Sequence, residues 1–307
     1  MQEGSRKAIV AAFSANLGIA IAKFVGFLIT KSTGLLAEAG HSLADTGNQA
    51  LLLVGSKRAQ RERDAKHPFG YGSERYFWAF VVALVMFSMG GLFALYEGIE
   101  KLRHPHEAQS LGVAIGILLA SIVMEGLSLR TAVREVGHAK TKGTSWLAFI
   151  RRSKSPELPT VLLEDTAALV GLVIALVGVV LAQVTGNARW DAVGSVAIGV
   201  LLIVVAFVLA REMKGLLLGE SASSEVETLI VDAINGSPRV NQVIHLRTMH
   251  VGPDELLVAA KVEFDHDLSI SDLSAAIDET ERHLRAAVPV AKAVYIEPDV
   301  YRPEPAE

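Results

Sequence analysis

The chain contains no cysteine in its 307 residues, which excludes disulfides, thiolate metal sites and thiol redox chemistry together. It also lacks any excess of positive charge. A formal net charge of −4 gives no electrostatic reason to expect nucleic acid as a partner. No nucleophile–base set and no glycine-rich phosphate loop stands out, so nothing reads as an enzyme and no prosthetic group is expected. The first apolar run, Ala8 to Thr30, is not followed by a small-residue cleavage site and is read as a retained helix, not a removed signal peptide.

What the chain has in abundance is long apolar sequence. Hydrophobic residues make up 51% of it. A hydrocarbon core of ~30 Å needs about 20 predominantly apolar residues to cross it. Six runs meet that length, at 8–30, 33–56, 76–98, 111–131, 158–183 and 190–212. The pattern predicts an all-α bundle of six transmembrane helices over residues 1–215, joined to a soluble domain over 216–307. Short connections, at Lys31 and at Thr185–Arg189, make hairpins of the first two and the last two spans.

Basic residues are distributed unevenly between the connections. Lys57, Arg58, Arg61, Arg63, Lys66 and Arg75 follow the second span. Arg130, Arg134, Lys140, Lys142, Arg151, Arg152 and Lys154 follow the fourth. Arg6, Lys7, Arg211 and Lys214 flank the bundle on the same side. Only Lys31, Lys101, Arg103 and Arg189 oppose them. The positive-inside rule then puts both termini in the cytoplasm, as an even number of spans requires. A multi-pass protein of a bacterial inner membrane is the expectation.

Beyond Gly219 the period changes. Ser224-Glu225-Val226-Glu227 reads as a capping box opening an amphipathic helix to about Ile234, and Asn235-Gly236-Ser237-Pro238 stops it. Val243–His250 and Glu255–Phe264 read as strands around the turn Val251-Gly252-Pro253-Asp254. Ser269-Ile270-Ser271-Asp272 opens a helix reaching Val288, Ala291–Glu297 is a last strand, and the tail after Pro298 is expected to fray. An α-β-β-α-β order suits a small α+β sandwich with its helices on one face of three strands.

The spans carry ionisable groups that lipid does not tolerate cheaply. A charge at the centre of a bilayer helix costs roughly 2.5–3.5 kcal/mol even on lenient insertion scales. In the second span Glu38, His41 and Asp45 follow one another at three and four residues, which stacks them on one helical face. His41 and Asp45 can therefore point at one ion; the alternative is a polar stripe that holds helices together. The fifth span carries Glu164 and Asp165. An imidazole and carboxylates converging between these spans would suit Zn²⁺, with Fe²⁺, Co²⁺ and Mn²⁺ as rivals. Glu164 lies about 100° round the helix from Asp165, so it either supplies a further ligand after rotation or pairs elsewhere. Lys23, Glu97 and Glu125 lie nearer span ends or lack an evident partner, Lys23 either pairing with a carboxylate or snorkelling, and Asp191 suits a helix-dipole or capping role at the start of the last span. The loop Arg103-His104-Pro105-His106-Glu107 reads as a solvated loop.

These motifs resemble the cation diffusion facilitator family. The resemblance runs from about residue 6 to residue 298. It is carried by Gly34-Leu35-Leu36-Ala37-Glu38-Ala39-Gly40-His41-Ser42-Leu43-Ala44-Asp45, His67-Pro68-Phe69-Gly70-Tyr71-Gly72, Asp191-Ala192-Val193-Gly194-Ser195 and Tyr295-Ile296-Glu297-Pro298. It implies a homodimer that exports divalent metal by antiport against protons, with a ferredoxin-like cytoplasmic domain. It further implies a metal site of His41 and Asp45 with Asp165. Val161 stands where the family usually has His or Asp, so Glu164, Asn48 or water must complete a four-coordinate ion. The run Leu162-Leu163-Glu164-Asp165-Thr166 resembles the zinc-exporting branch. Lys261 and Tyr295 stand where many members carry metal-binding histidines, and His245, His250 and His266 form no clear ligand cluster, which implies a C-terminal domain serving mainly dimerisation. Retention of His41, Asp45 and Asp165 weighs against a non-transporting regulatory subunit, the reading that Val161 suggests; a channel, without saturable exchange, is a further rival.

Overall fold

The computed structural model describes residues 3–30, 33–104, 111–139 and 145–302, and the chain divides into two compact units. Residues 1–58 and 75–214 form the first, and residues 59–74 with 215–307 form the second. The connection His104–Glu107 falls largely outside the described residues, as do the side chains of Glu38 and His41.

The first unit is wholly helical. Its long elements are α1 (Glu3–Thr30), α2 (Thr33–Arg58), a continuous rod made of α3 (Glu74–Val85), a π segment (Met86–Leu92) and α4 (Phe93–Arg103), then α5 (Leu111–Ala139), α7 (Glu157–Thr185) and α8 (Arg189–Leu218). Among the described residues four of these are long and apolar enough to cross a membrane: Glu74–Arg103, Ile115–His138, Glu157–Thr185 and Arg189–Leu218. α1 and α2 have the length, and α1 adds the apolar stretch Asn16–Val25. A short α6 (Trp146–Arg152), capped by Ser145 Oγ accepting from the Ala148 N–H at 3.2 Å, lies within the second basic connection.

The third span runs beyond the predicted 76–98 and has a widened turn around Ser88, Gly90 and Gly91. Its backbone lies directly against α8. A Cβ on Gly98 would fall 2.7 Å from the Val196 nitrogen, and one on Gly199 would fall 2.6 Å from the Leu95 nitrogen. Small residues at helix crossings permit this approach, and dispersion then holds the pair in a solvent with no hydrophobic drive between helices. α7 ends at Gly186, whose φ of 65° suits the left-handed C-cap that glycine adopts without a Cβ clash. α1 packs on α2, and α5 packs on α7.

The second unit holds α9 (Ser224–Asn235), β1 (Val240–Gly252), β2 (Glu255–Phe264), α10 (Ile270–Ala287) and β3 (Ala291–Pro298), the ferredoxin-like α+β arrangement. The sheet order is β1-β2-β3, with β1 antiparallel and β3 parallel to the central β2. Strict alternation along β2 buries Leu256, Val258, Ala260, Val262 and Phe264 against Ile230 and Ile234 of α9 and Leu284 of α10. Lys261 takes the opposite face, paired with Glu297 and Asp299 at 3.1 Å each.

Two local expectations need correction. The cap of α9 is Ser223, one residue before the predicted Ser224, and its Oγ accepts from the Val226 N–H. Glu227, freed from a capping box, accepts instead from Thr248 Oγ1 at 3.2 Å. The segment after Pro298 does not fray at once: the Asp299 N–H donates to the Val262 carbonyl at 3.0 Å, and the Tyr301 N–H to Glu263 at 3.2 Å.

Residues 59–74 fold with this unit. Ser73 Oγ donates to the Val251 carbonyl at 3.0 Å, Arg63 faces Glu255 at 3.4 Å, and Gly72 meets Gly252 so closely that a Cβ would lie 2.8 Å from the facing Cα. Asp64 organises the loop by accepting from the His67 N–H at 2.7 Å and the Tyr71 hydroxyl at 2.6 Å.

Candidate functional site

The buried face of α2 is polar over four turns. Ser42, Asp45, Thr46, Asn48, Gln49 and Ser56 are all buried, with Leu52 between them. A stripe of this kind is stable between helices only if its groups find partners, because hydrocarbon supplies none. α1 and α7 supply partners to this stripe, and α5 supplies one to α7 in turn.

From α7, Glu164 and Asp165 turn inward, 4% and 1% exposed. Two amides of α2 hold Glu164: Asn48 Nδ2 donates to one carboxylate oxygen at 2.6 Å, and Gln49 Nε2 donates to the other at 3.0 Å. Asn16 of α1 extends the chain by donating to Gln49 Oε1 at 3.3 Å. Asp165 takes a different partner, accepting from Ser128 Oγ of α5 at 2.9 Å. Glu125, one turn before Ser128, is buried as well. Asp45, Asp165 and Glu125 all act electrostatically on Glu164, and Glu125 and Asp45 act on Asp165. Four carboxylates from α2, α5 and α7 thus share one buried region of the helical unit.

The predicted site residues stand as follows. Asp45, Glu164 and Asp165 are brought together; His41 lies one turn before Asp45 on α2, with its side chain outside the described residues. Val161, one turn before Asp165, is buried and supplies no donor. Among the described residues no three histidine, aspartate or glutamate side chains form a finished metal centre. Glu164 pairs with amides, the second of the two roles open to it. Glu125 is the member that the sequence left without a role; its only signal is that it follows Ser121 by four residues and precedes Ser128 by three, a polar stripe on one face of α5.

Other groups have structural partners. Lys23 donates to Ser42 Oγ at 3.0 Å, across α1 and α2. Lys101 stands between Glu97 at 3.2 Å and Asp191 at 3.4 Å, tying α4 to the start of α8. Arg75 and Glu157 make a two-pronged buried ion pair between the first turns of α3 and α7, one prong Arg75 Nη2 to Glu157 Oε2 at 2.9 Å. In the second unit His245 accepts from Arg247 at 2.9 Å and His266 faces Glu263 at 3.3 Å.

A bundle of long apolar helices that keeps carboxylates between them, with an α+β unit on the same chain, defines a membrane protein built to handle a cation. Residues 9–218 match the family described as the cation efflux transmembrane domain, and residues 222–301 match the cation efflux protein cytoplasmic domain; the chain belongs to the cation efflux, or cation diffusion facilitator, family of transporters. It is 33% identical over 264 residues to the mitochondrial proton-coupled zinc antiporter SLC30A9 of Mus musculus, covering 86% of this chain and 47% of that protein. It is 28% identical over 272 residues to the zinc transporter ZitB of Pectobacterium atrosepticum, covering 87% and 78%, and 25% identical over 288 residues to the magnetosome protein MamB of a Magnetospira strain, covering 93% and 92%. The chain spans about half the length of the SLC30A9 relatives it matches.

Proposed function

We propose that the chain exports a divalent cation, Zn²⁺ foremost, across a bacterial inner membrane in exchange for protons. The observation that carries the reading is the meeting of Asp45 with Glu164 and Asp165 inside the helical unit, where carboxylates have no structural advantage over amides or hydroxyls. His41, Asp45 and Asp165 are the ligands in this reading, and Glu164 the flanking charge. Zn²⁺ suits the mixed nitrogen and oxygen set, and the named activities of SLC30A9 and ZitB support the same ion.

The proton coupling follows from the ligand chemistry. A protonated imidazole nitrogen cannot bind metal, so loading the site releases protons and reprotonation from the far side ejects the ion. His41, with an ordinary pKa of ~6.5, is the natural switch. Rocking of helix groups about the fixed site exposes it alternately to each face. All six long helices span the bilayer in this reading, both termini lie in the cytoplasm, and the chain works as a homodimer assembled through its C-terminal unit. The family is one of transporters, and no enzymatic role is proposed.

Proteoliposomes test the reading. Zinc-driven proton flux should be saturable and should vanish in His41→Ala while the dimer stays folded; undiminished exchange by that variant would remove His41 from the mechanism. A competition panel of Zn²⁺, Fe²⁺, Co²⁺ and Mn²⁺ on the same vesicles ranks the ions, with Mn²⁺ expected last because it prefers all-oxygen sites. Val161 favours one other reading, a regulatory subunit that binds without transport, for which no variant would show flux.

A further inference from the structure

Resting on that reading, we propose that Asn48 is a ligand of the transported cation, binding through its side-chain carbonyl oxygen. His41, Asp45 and Asp165 make three donors, whereas zinc held by protein groups takes four ligands or three and a water. The structure discriminates among the groups near enough to supply the fourth.

Glu164 is committed, since each of its oxygens already accepts an amide N–H. Ser128 is committed to Asp165. Asn48 is half committed. Its Nδ2 donates to Glu164 at 2.6 Å, the amide orientation that gives an ionised carboxylate its donor. Its Oδ1, on the same carbon, has no hydrogen-bond partner, although the residue is only 3% exposed. A buried carbonyl without a donor costs about 1–3 kcal/mol, so it calls for an explanation, and a bound ion is one. A cation nearby would offset it. The position on α2 agrees: His41, Asp45 and Asn48 follow at four and three residues, so one face offers an imidazole, a carboxylate and a neutral carbonyl.

Asn16 also leaves Oδ1 without a partner, but its amide reaches Gln49 rather than a carboxylate, one step removed from the cluster. It therefore serves as a control for a free buried oxygen that is not a ligand. Gln49 serves as the control for loss of a Glu164 donor.

The test uses the full chain in nanodiscs, titrated with Zn²⁺ and, separately, with Co²⁺, whose visible absorption reports its donor set. Gln49→Ala and Asn16→Ala should weaken Zn²⁺ binding by no more than the roughly 10–100-fold typical of outer partners and leave the Co²⁺ bands in place. Asn48→Ala, with Asn48→Leu as a variant of similar volume, should weaken it beyond the roughly 100-fold upper end of an outer partner's effect and shift the Co²⁺ bands. Equal losses in Asn48→Ala and Gln49→Ala with unchanged Co²⁺ bands would overturn the assignment and leave Asn48 as a positioning residue for Glu164. Asp45→Asn separates the two levels. Binding abolished in Asp45→Asn but intact in Asn48→Ala overturns only the role of Asn48, whereas binding intact in Asp45→Asn overturns the transport site itself.

Discussion

In the α+β unit the buried set is apolar, from Ile230 and Ile234 through Leu256 and Val262 to Leu284, and the charged residues lie outside it; in the helical unit Asn16, Lys23, Asp45, Gln49, Glu125, Glu164 and Asp165 are buried while Phe93, Tyr96, Val184 and Phe207 face outward. One chain thus obeys two solvents. Water rewards an apolar interior and lipid rewards an apolar exterior, so polarity inside the helical unit is not rewarded by the solvent and has to find its partners on neighbouring helices. The contrast also shows in where hydrogen bonds between side chains lie: Gln242–Glu263 and Lys261–Asp299 in the α+β unit are only part-buried, whereas the bonds of Asn48 and Gln49 to Glu164 lie in the interior and cross a helix boundary.

The variant expected to break this contrast most completely is Asp165→Asn. The amide keeps the shape and can still meet Ser128, so the fold should persist, but one anionic ligand is gone; zinc-driven proton flux in proteoliposomes should fall to the protein-free level. Retention of substantial flux would mean that the buried carboxylates are structural glue. Next in size is Arg75→Ala. It leaves Glu157, 1% exposed, as an uncompensated buried charge between α3 and α7, a change that typically costs about 3–5 kcal/mol. The measurement is the thermal midpoint in detergent, and a double variant Arg75→Met with Glu157→Met should recover most of the loss. In the other unit Leu256→Ala removes a fully buried side chain of the central strand and should destabilise that unit by about 2–5 kcal/mol in denaturant titrations of the full chain. Zinc binding by the helical unit should be unaltered, which would show that the two kinds of interior are separable.

How much of this was legible in the sequence follows the same division. β2 has the bounds that its alternation predicts, since each side chain declares its face. Ser269 caps α10 as expected, its Oγ accepting from the Asp272 N–H at 3.2 Å, because capping is settled within four residues. Ser223 rather than Ser224 caps α9 because both hydroxyls satisfy the local rule and Thr248, on a strand 24 residues further on, draws Glu227 away. Nothing in residues 59–74 announces that they fold against the β1–β2 turn; the Gly72–Gly252 approach and the Arg63–Glu255 pair are long-range. In the site, spacing along the second span put the positions of His41 and Asp45 on one face, and the family resemblance added Asp165. The partners of Glu164 and the presence of Glu125 depend on how helices rotate against each other, which apolar periodicity leaves free when lipid surrounds the bundle.

The smallest effect tests the outer face of the sheet, where the charges are solvated. The Val300 N–H and then Lys261 hold the Asp299 carboxyl below its ordinary range, and Asp299 followed by Glu297 raises Lys261 above its own. An acid whose folded pKa is depressed stabilises the fold above its unfolded pKa and loses that contribution as pH falls through the folded value, so the Asp299 contribution should fade below about pH 4. A base whose folded pKa is raised stabilises the fold below its unfolded pKa and loses that contribution as pH rises past the folded value, so the Lys261 contribution should fade above about pH 10.5. Between these limits the denaturant midpoint of the C-terminal transition should not respond to Asp299 or Lys261. Asp299→Asn should reduce the acid limb without abolishing it, because Glu263, held below its ordinary range by Gln242 and then by the Tyr301 N–H, loses its contribution in the same window. A midpoint that instead moved between pH 5 and pH 8 would count against the assignment of this pH dependence to Asp299, Glu263 and Lys261.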